Sequence, residues 1–178
     1  SGLRPDGVSD FFDWVKERSH LFRGITYGTM LQDEALRFIR LGTFLERADN
    51  TARILEVKYL NLLPGSESDA ETTDYYQWSA LLRSVSAFEV YRKVYRDHIT
   101  PLRVAELLIL RADMPRSLAR CMKEVYTNLT RVANARSAET ERLAGELESH
   151  LHFGRIERIF EGGMRKCLED FRDLIFDL

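Results

Sequence analysis

A chain of 178 residues has the length of one domain and can bury a core that folds without disulfide or metal staples. With 44% hydrophobic and 30% charged residues it is too apolar for a disordered tail. A formal charge of −2 offers no global attraction to nucleic acid or to an anionic membrane. Charge is unevenly spread: Arg83 to Lys123 is rich in Arg and Lys, and the C-terminal end carries an acidic excess. Ordinary solvated helix faces account for that polarity. Cys121 and Cys167 lie far apart and outside any Cys-x-x-Cys spacing, as expected of small buried hydrophobes in a reducing compartment. No apolar run approaches the roughly 18 residues of a membrane span, and no signal-peptide pattern is seen. A soluble, cytoplasmic protein is expected.

With only 4 prolines and 10 glycines, the chain accommodates long helices. Its apolar spacing predicts an all-α fold, a bundle of six or seven helices with one long central helix, forming a single helical domain over 1–178. A first helix is expected from an N-cap at Ser9, with Phe11, Phe12 and Val15 on its apolar side, weakening at Gly24 and ending before Gly28. The longest helix should run from Asp33 to Leu62. Its seam is read as Phe38, Leu41, Leu45, Ala48, Ala52, Leu55, Tyr59 and Leu62, three and four residues apart. Pro64-Gly65 ends it, and Ser66 to Thr72 reads as an exposed loop. A third helix is predicted over Asp74–Ile99, carrying Trp78, Leu81, Val85, Phe88, Tyr95 and Ile99. Thr100-Pro101 starts a short, very apolar helix through Leu110. Asp113-Met114-Pro115 is a second start signal for a helix to Asn134. Two more are expected, over Ala138–Phe153 and Ile156–Phe176, the last softened at Gly162-Gly163.

The side chains that carry chemistry are sparse. Di-metal carboxylate bundles need two Glu-x-x-His pairs and two further glutamates. Glu17 and His20 supply one pair and a second never appears, so no metal site is expected, and no cofactor is implied. Neither cysteine has a histidine beside it, and no Gly-rich turn follows a strand. The aromatic series Tyr75, Tyr76, Trp78, Phe88, Tyr91 and Tyr95 reads as core packing. The densest polar stretch is Leu45-Glu46-Arg47-Ala48-Asp49-Asn50-Thr51-Ala52-Arg53, in mid-helix. Glu46 and Arg47 diverge by about 100° and cannot face each other. Asp49 and Arg53 form an i,i+4 pair with the acid first. A comparable Glu17-Arg18 lies on the first helix. If helices adjacent in sequence pack as hairpins, Arg47 comes opposite Glu89 and Glu46 near Arg92.

At these residues the sequence resembles the Alpha-E family, a predicted helical domain named for an ER motif and of unknown function. The matching stretches include Lys16 to Gly24, Gly28-Thr29-Met30, Arg40 to Arg53, Asp74 to Trp78, Leu81 to Phe88, Val104 to Leu108 and Gly154-Arg155-Ile156, in order along nearly the whole chain. Members are usually longer, with an earlier helical segment bearing its own Glu-Arg motif. The resemblance therefore implies that this chain is the C-terminal portion of such a protein. Members are encoded or fused beside circularly permuted ATP-grasp proteins and transglutaminase-like peptidases. The implied role is therefore beside ATP-dependent amide ligation or peptide processing, with those proteins, and a peptide, as partners.

Three readings of function stay open at this point. In the first, the chain is a partner module that docks an ATP-grasp ligase or presents its peptide substrate. In the second, it is an enzyme acting on a peptide or amide, with Glu46 as acid/base and Arg47 and Arg53 gripping a carboxylate. In the third, the charges only fix helix register. The candidate functional residues are Glu46, Arg47, Asn50, Arg53, Glu17 and Arg18. A pocket converging on Glu46, Arg47 and Arg53 would favour the enzyme, and a broad exposed apolar patch the partner module.

Overall fold

The computed structural model describes residues 5–60 and 70–178, with side chains from 7–59 and 75–178. The described chain is helical throughout and contains no strand. It forms α1 (Pro5–Thr29), α2 (Glu34–Leu60), α3 (Ala70–Ser84), α4 (Phe88–Tyr95), α5 (Pro101–Ile109), α6 (Leu118–Leu129), α7 (Ala138–His152), α8 (Ile156–Gly162) and α9 (Met164–Phe176). The expected count of six or seven rises because two long helices are each broken in two. Residues 61–69, including Leu62 and Pro64-Gly65, lie outside the description, and from Ala70 the chain is helical where a loop was expected.

The breaks have local causes. Between α3 and α4, Ser86 takes a left-handed conformation (φ 55°), and Ala87 resumes the path by donating its N–H to the Leu82 carbonyl. No glycine or proline marks that kink. Between α8 and α9 the break falls at Gly163, whose φ of 94° suits a residue without Cβ. The softening expected there is a full break. Ser9 does not cap α1. Among the described residues the helix already runs at Pro5, four residues before Ser9, and continues through Gly24 to Thr29. Asp113 does not cap either: its carboxylate is taken by Arg111 at 2.6 Å. Ser117 caps α6 instead, accepting from the Arg120 N–H at 3.0 Å. Thr100 caps α5 as expected, with Pro101 in the first turn.

The core gathers around α2. Leu41, Phe44, Ala48, Ala52 and Leu55 form its buried face, and α6 and α9 pack on it. Phe38 is not part of that seam: it is 61% exposed. The next inward position is taken by Phe44, because the helix drifts from a strict seven-residue repeat. Ala48 and Ala52, both fully buried, present only methyl groups to neighbouring helices. α5 is sunk in the core, with Val104, Ala105, Leu107, Leu108 and Ile109 buried. Gly154 follows α7 where a Cβ would meet the His150 carbonyl oxygen at 2.8 Å and Leu110 at 3.0 Å.

Polar contacts fix how α2 meets α6. Arg37 donates to the Asn128 side chain at 3.3 Å, and Arg40 approaches Glu124 at 4.0 Å. Thr51 donates to the Arg116 carbonyl at 2.9 Å, and Arg47 to the Pro115 carbonyl at 3.2 Å. Numbers rise on α2 as they fall on α6, so the two helices run antiparallel. No helix among the described residues is long and apolar enough to cross a membrane.

Candidate functional site

Helical geometry divides the polar stretch of α2 between two environments. At about 100° per residue, Glu46, Asn50, Arg53 and Val57 share the face opposite Ala48, Ala52 and Leu55. All four are exposed, so this face of α2 carries no neighbouring helix among the described residues. Arg53 is held by Asp49 at 2.7 Å, as the i,i+4 spacing predicted. Asp49 is also met by Arg172 of α9 at 3.3 Å, and Arg172 reaches Glu56 at 2.7 Å. This half-buried chain of charges ties α9 to α2. Nothing in the sequence around Arg172 announced it, because its partners lie more than a hundred residues earlier.

Arg47 faces elsewhere. Its guanidinium lies 5.0 Å from the centre of the Phe44 ring while donating to the Pro115 carbonyl. The expected pairing with Glu89 is therefore replaced. Helices adjacent in sequence do not form the hairpin that register assumed; α2 packs instead on α6 and α9, far along the chain. Glu46 makes no ion pair among the described residues. Glu46, Arg47 and Arg53 thus do not converge on one pocket.

Glu17 and Arg18 sit on α1 and are exposed, with the Arg18 guanidinium 5.6 Å from the Trp14 ring centre. Every residue from Val8 to Ile25 is exposed. Around the helix, Val8, Phe11, Phe12, Trp14, Val15, Leu21, Phe22 and Ile25 fall within one half of the circumference. Asp10, Asp13, Lys16, Glu17 and His20 take the other half. α1 is therefore amphipathic, with Arg18 set among its apolar side chains, and its apolar half is uncovered: Phe11 is 57%, Phe12 58% and Phe22 63% exposed. Among the described residues the helix meets the bundle near its C-terminal end, where Thr26 is buried and Tyr27 lies under the Arg40 guanidinium at 5.4 Å.

The aromatic series divides in the same way. Trp78 and Tyr91 are core residues, whereas Tyr75 and Tyr76 are exposed. Glu17 and His20 stand on an exposed helix side, and no group of His, Cys, Asp and Glu among the described residues is arranged to hold a metal ion. A cleft of about 730 Å³ opens between α7, α8 and α9, walled by Leu147, Phe171 and Leu174 with Arg155, Arg158 and Lys166 at its margins. Neither Glu46 nor Arg47 lines it.

An all-helical bundle with a Glu-Arg pair at mid-length on its central helix is the class these observations define. The family model described as "a predicted alpha-helical domain with a conserved ER motif" matches residues 2–178, and the chain belongs to that family, Alpha-E. No curated protein and no solved structure matches it. Glu-Arg also occurs at Glu141-Arg142 and Glu157-Arg158, and Arg142 pairs locally with Glu139 and Glu146.

Proposed function

We propose that this chain is a cytoplasmic partner module that docks a circularly permuted ATP-grasp-type ligase, or presents its peptide substrate, alongside a transglutaminase-like peptidase. The observation that carries the docking role is the uncovered apolar half of α1. Exposed apolar patches of this extent, rimmed by charge, are characteristic of interaction surfaces rather than of free monomer faces. The uncovered face of α2 supports the reading, with polar Glu46, Asn50 and Arg53 at its middle and Ile39 and Val57 toward its ends. Aromatic anchors beside charged and amide groups are the composition of a protein interface. The choice of ligase and peptidase rests on the family resemblance.

The test is co-elution with the purified ATP-grasp-type protein and with the peptidase. The double variant Phe12→Glu, Phe22→Glu should melt like the parent, because both rings are already in water, and should lose co-elution. Glu46→Lys should weaken it. Binding unchanged in all variants would remove α1 and α2 as the docking surface, and absence of any complex with the parent would refute the module itself.

A further inference from the structure

The cleft between α7, α8 and α9 owes its shape to two glycines. Gly154 lets the chain leave α7 against Leu110, where a Cβ would come within 3.0 Å of the leucine side chain. Gly163 turns the chain out of α8 at φ 94° before α9 begins. The two longer helices rest on different supports: α7 packs on α6, whereas α9 packs on α2. The room left between them is the cleft of about 730 Å³, within the roughly 300–1,000 Å³ of small-molecule sites.

Its wall and its mouth differ in chemistry. Leu147 and Leu151 of α7 and Phe171 of α9 are buried along the wall, with Ile159 of α8 and Leu174 of α9 beside them. Burial, and to a smaller extent Asp170, pushes the Cys167 thiol above its ordinary value, as on a poorly hydrated wall. At the mouth stand Arg155, Arg158 and Lys166, all exposed. Among the described residues none of the three is in an ion pair with a carboxylate. Asp170 is the one carboxylate lining the cleft, so positive charge is in excess there.

We propose that this cleft binds an anionic single-chain amphiphile: an alkyl chain closed by a carboxylate or phosphate head. The chain lies along the apolar wall, where each methylene leaves water. The head stays at the mouth, where guanidinium forks and an ammonium meet its oxygens. The wall side chains offer no hydrogen-bond partners, so an occupant with amides along its body would lose hydration there without replacement. An alkyl chain has none to lose. No residue of α1 or α2 lines the cleft, so failure here would leave the docking role standing.

Calorimetric titration with decanoate and decyl phosphate, at low ionic strength and below their micellar range, tests this. One saturable site is expected, and the tighter of the two probes identifies the head. Butyrate and decyltrimethylammonium, which lack the chain or the negative charge, should bind at least about tenfold more weakly. From hexanoate to decanoate, affinity should rise by up to about fourfold per methylene, the value of burying one. The double variant Arg155→Gln, Arg158→Gln should weaken decanoate by at least about tenfold, the effect of losing one charge-assisted bond, and leave octanol within about twofold. Leu174→Asp should weaken both. All three positions are exposed, so the variants should melt like the parent. No saturable site, decyltrimethylammonium binding as well as decanoate, affinity independent of chain length, or affinity unchanged in both variants would overturn the proposal. So would an acetylated apolar peptide with a free C-terminus that binds more tightly than either decyl probe.

Discussion

Burial, more than any neighbouring charge, governs Cys121. Fully enclosed between α6 and the core, its thiol is pushed up to about 12, although the nearby Arg47, Arg116 and Arg120 pull the other way. A raised pKa means that the folded protein holds the proton over the range in which the unfolded chain, near 9.0, releases it. Stability from this group is complete below pH 9 and declines above it, by up to about 1.4 kcal/mol per unit. Denaturant melts of the parent should therefore lose more stability between pH 8.5 and about 10.5 than melts of Cys121→Ala. Equal losses would show that the thiol is not sequestered. Glu46 is the opposite case. Exposed and without an ion pair among the described residues, it should tolerate Glu46→Gln within about 0.5 kcal/mol, whereas Leu55→Ala, at a fully buried position, should cost about 2–5 kcal/mol. At this scale the sequence was a fair guide to type but not to side. The spacing marked Ala48, Ala52 and Leu55 as core, and it separated Glu46 from Arg47. It placed Phe38 inside because a heptad reading takes a fixed stripe, and the real helix rotates away from one.

Helix ends were legible where a capping residue stood beside a proline, and illegible where the cause was a backbone angle. Thr100-Pro101 gave the start of α5. Ser86 gave no signal, because a serine at φ 55° is a cost that the surrounding packing imposes, not a propensity. Ser86→Gly should relieve that conformation and raise stability by roughly 0.5–1 kcal/mol, net of the extra freedom glycine gives the unfolded chain. A lower melting temperature for this variant would mean that the serine side chain contributes more than its backbone costs. The tie between α9 and α2 belongs to the same scale. Arg172 is half-buried and shared by Asp49 and Glu56, so Arg172→Met strands the partly desolvated Glu56 carboxylate and leaves Asp49 only its pair with Arg53. Its cost should exceed the 0–1 kcal/mol of a surface pair, by an order-of-magnitude argument. A variant as stable as the parent at neutral pH would show that the network contributes nothing net.

Across the whole molecule, the helical class and the central place of the longest helix followed from composition and periodicity, while the arrangement did not. Sequence adjacency suggested hairpins, yet α2 is flanked by α6 and α9, which reach it only after most of the chain has been laid down. Long-range packing of this kind is set by which faces are complementary in shape, and one sequence does not display that. The same limit explains why α1 could be read as amphipathic without any sign that its apolar half would stand uncovered. That uncovered half is the centre of the functional account. Hydrogen exchange of the chain, alone and mixed with the purified ATP-grasp-type protein, measures it directly. Amides of 8–25 should exchange fast in the free chain and gain strong protection in the complex, with those facing Glu46, Asn50 and Arg53 changing less and the α5 core unchanged. A complex that forms while 8–25 exchange as freely as before would contradict the account.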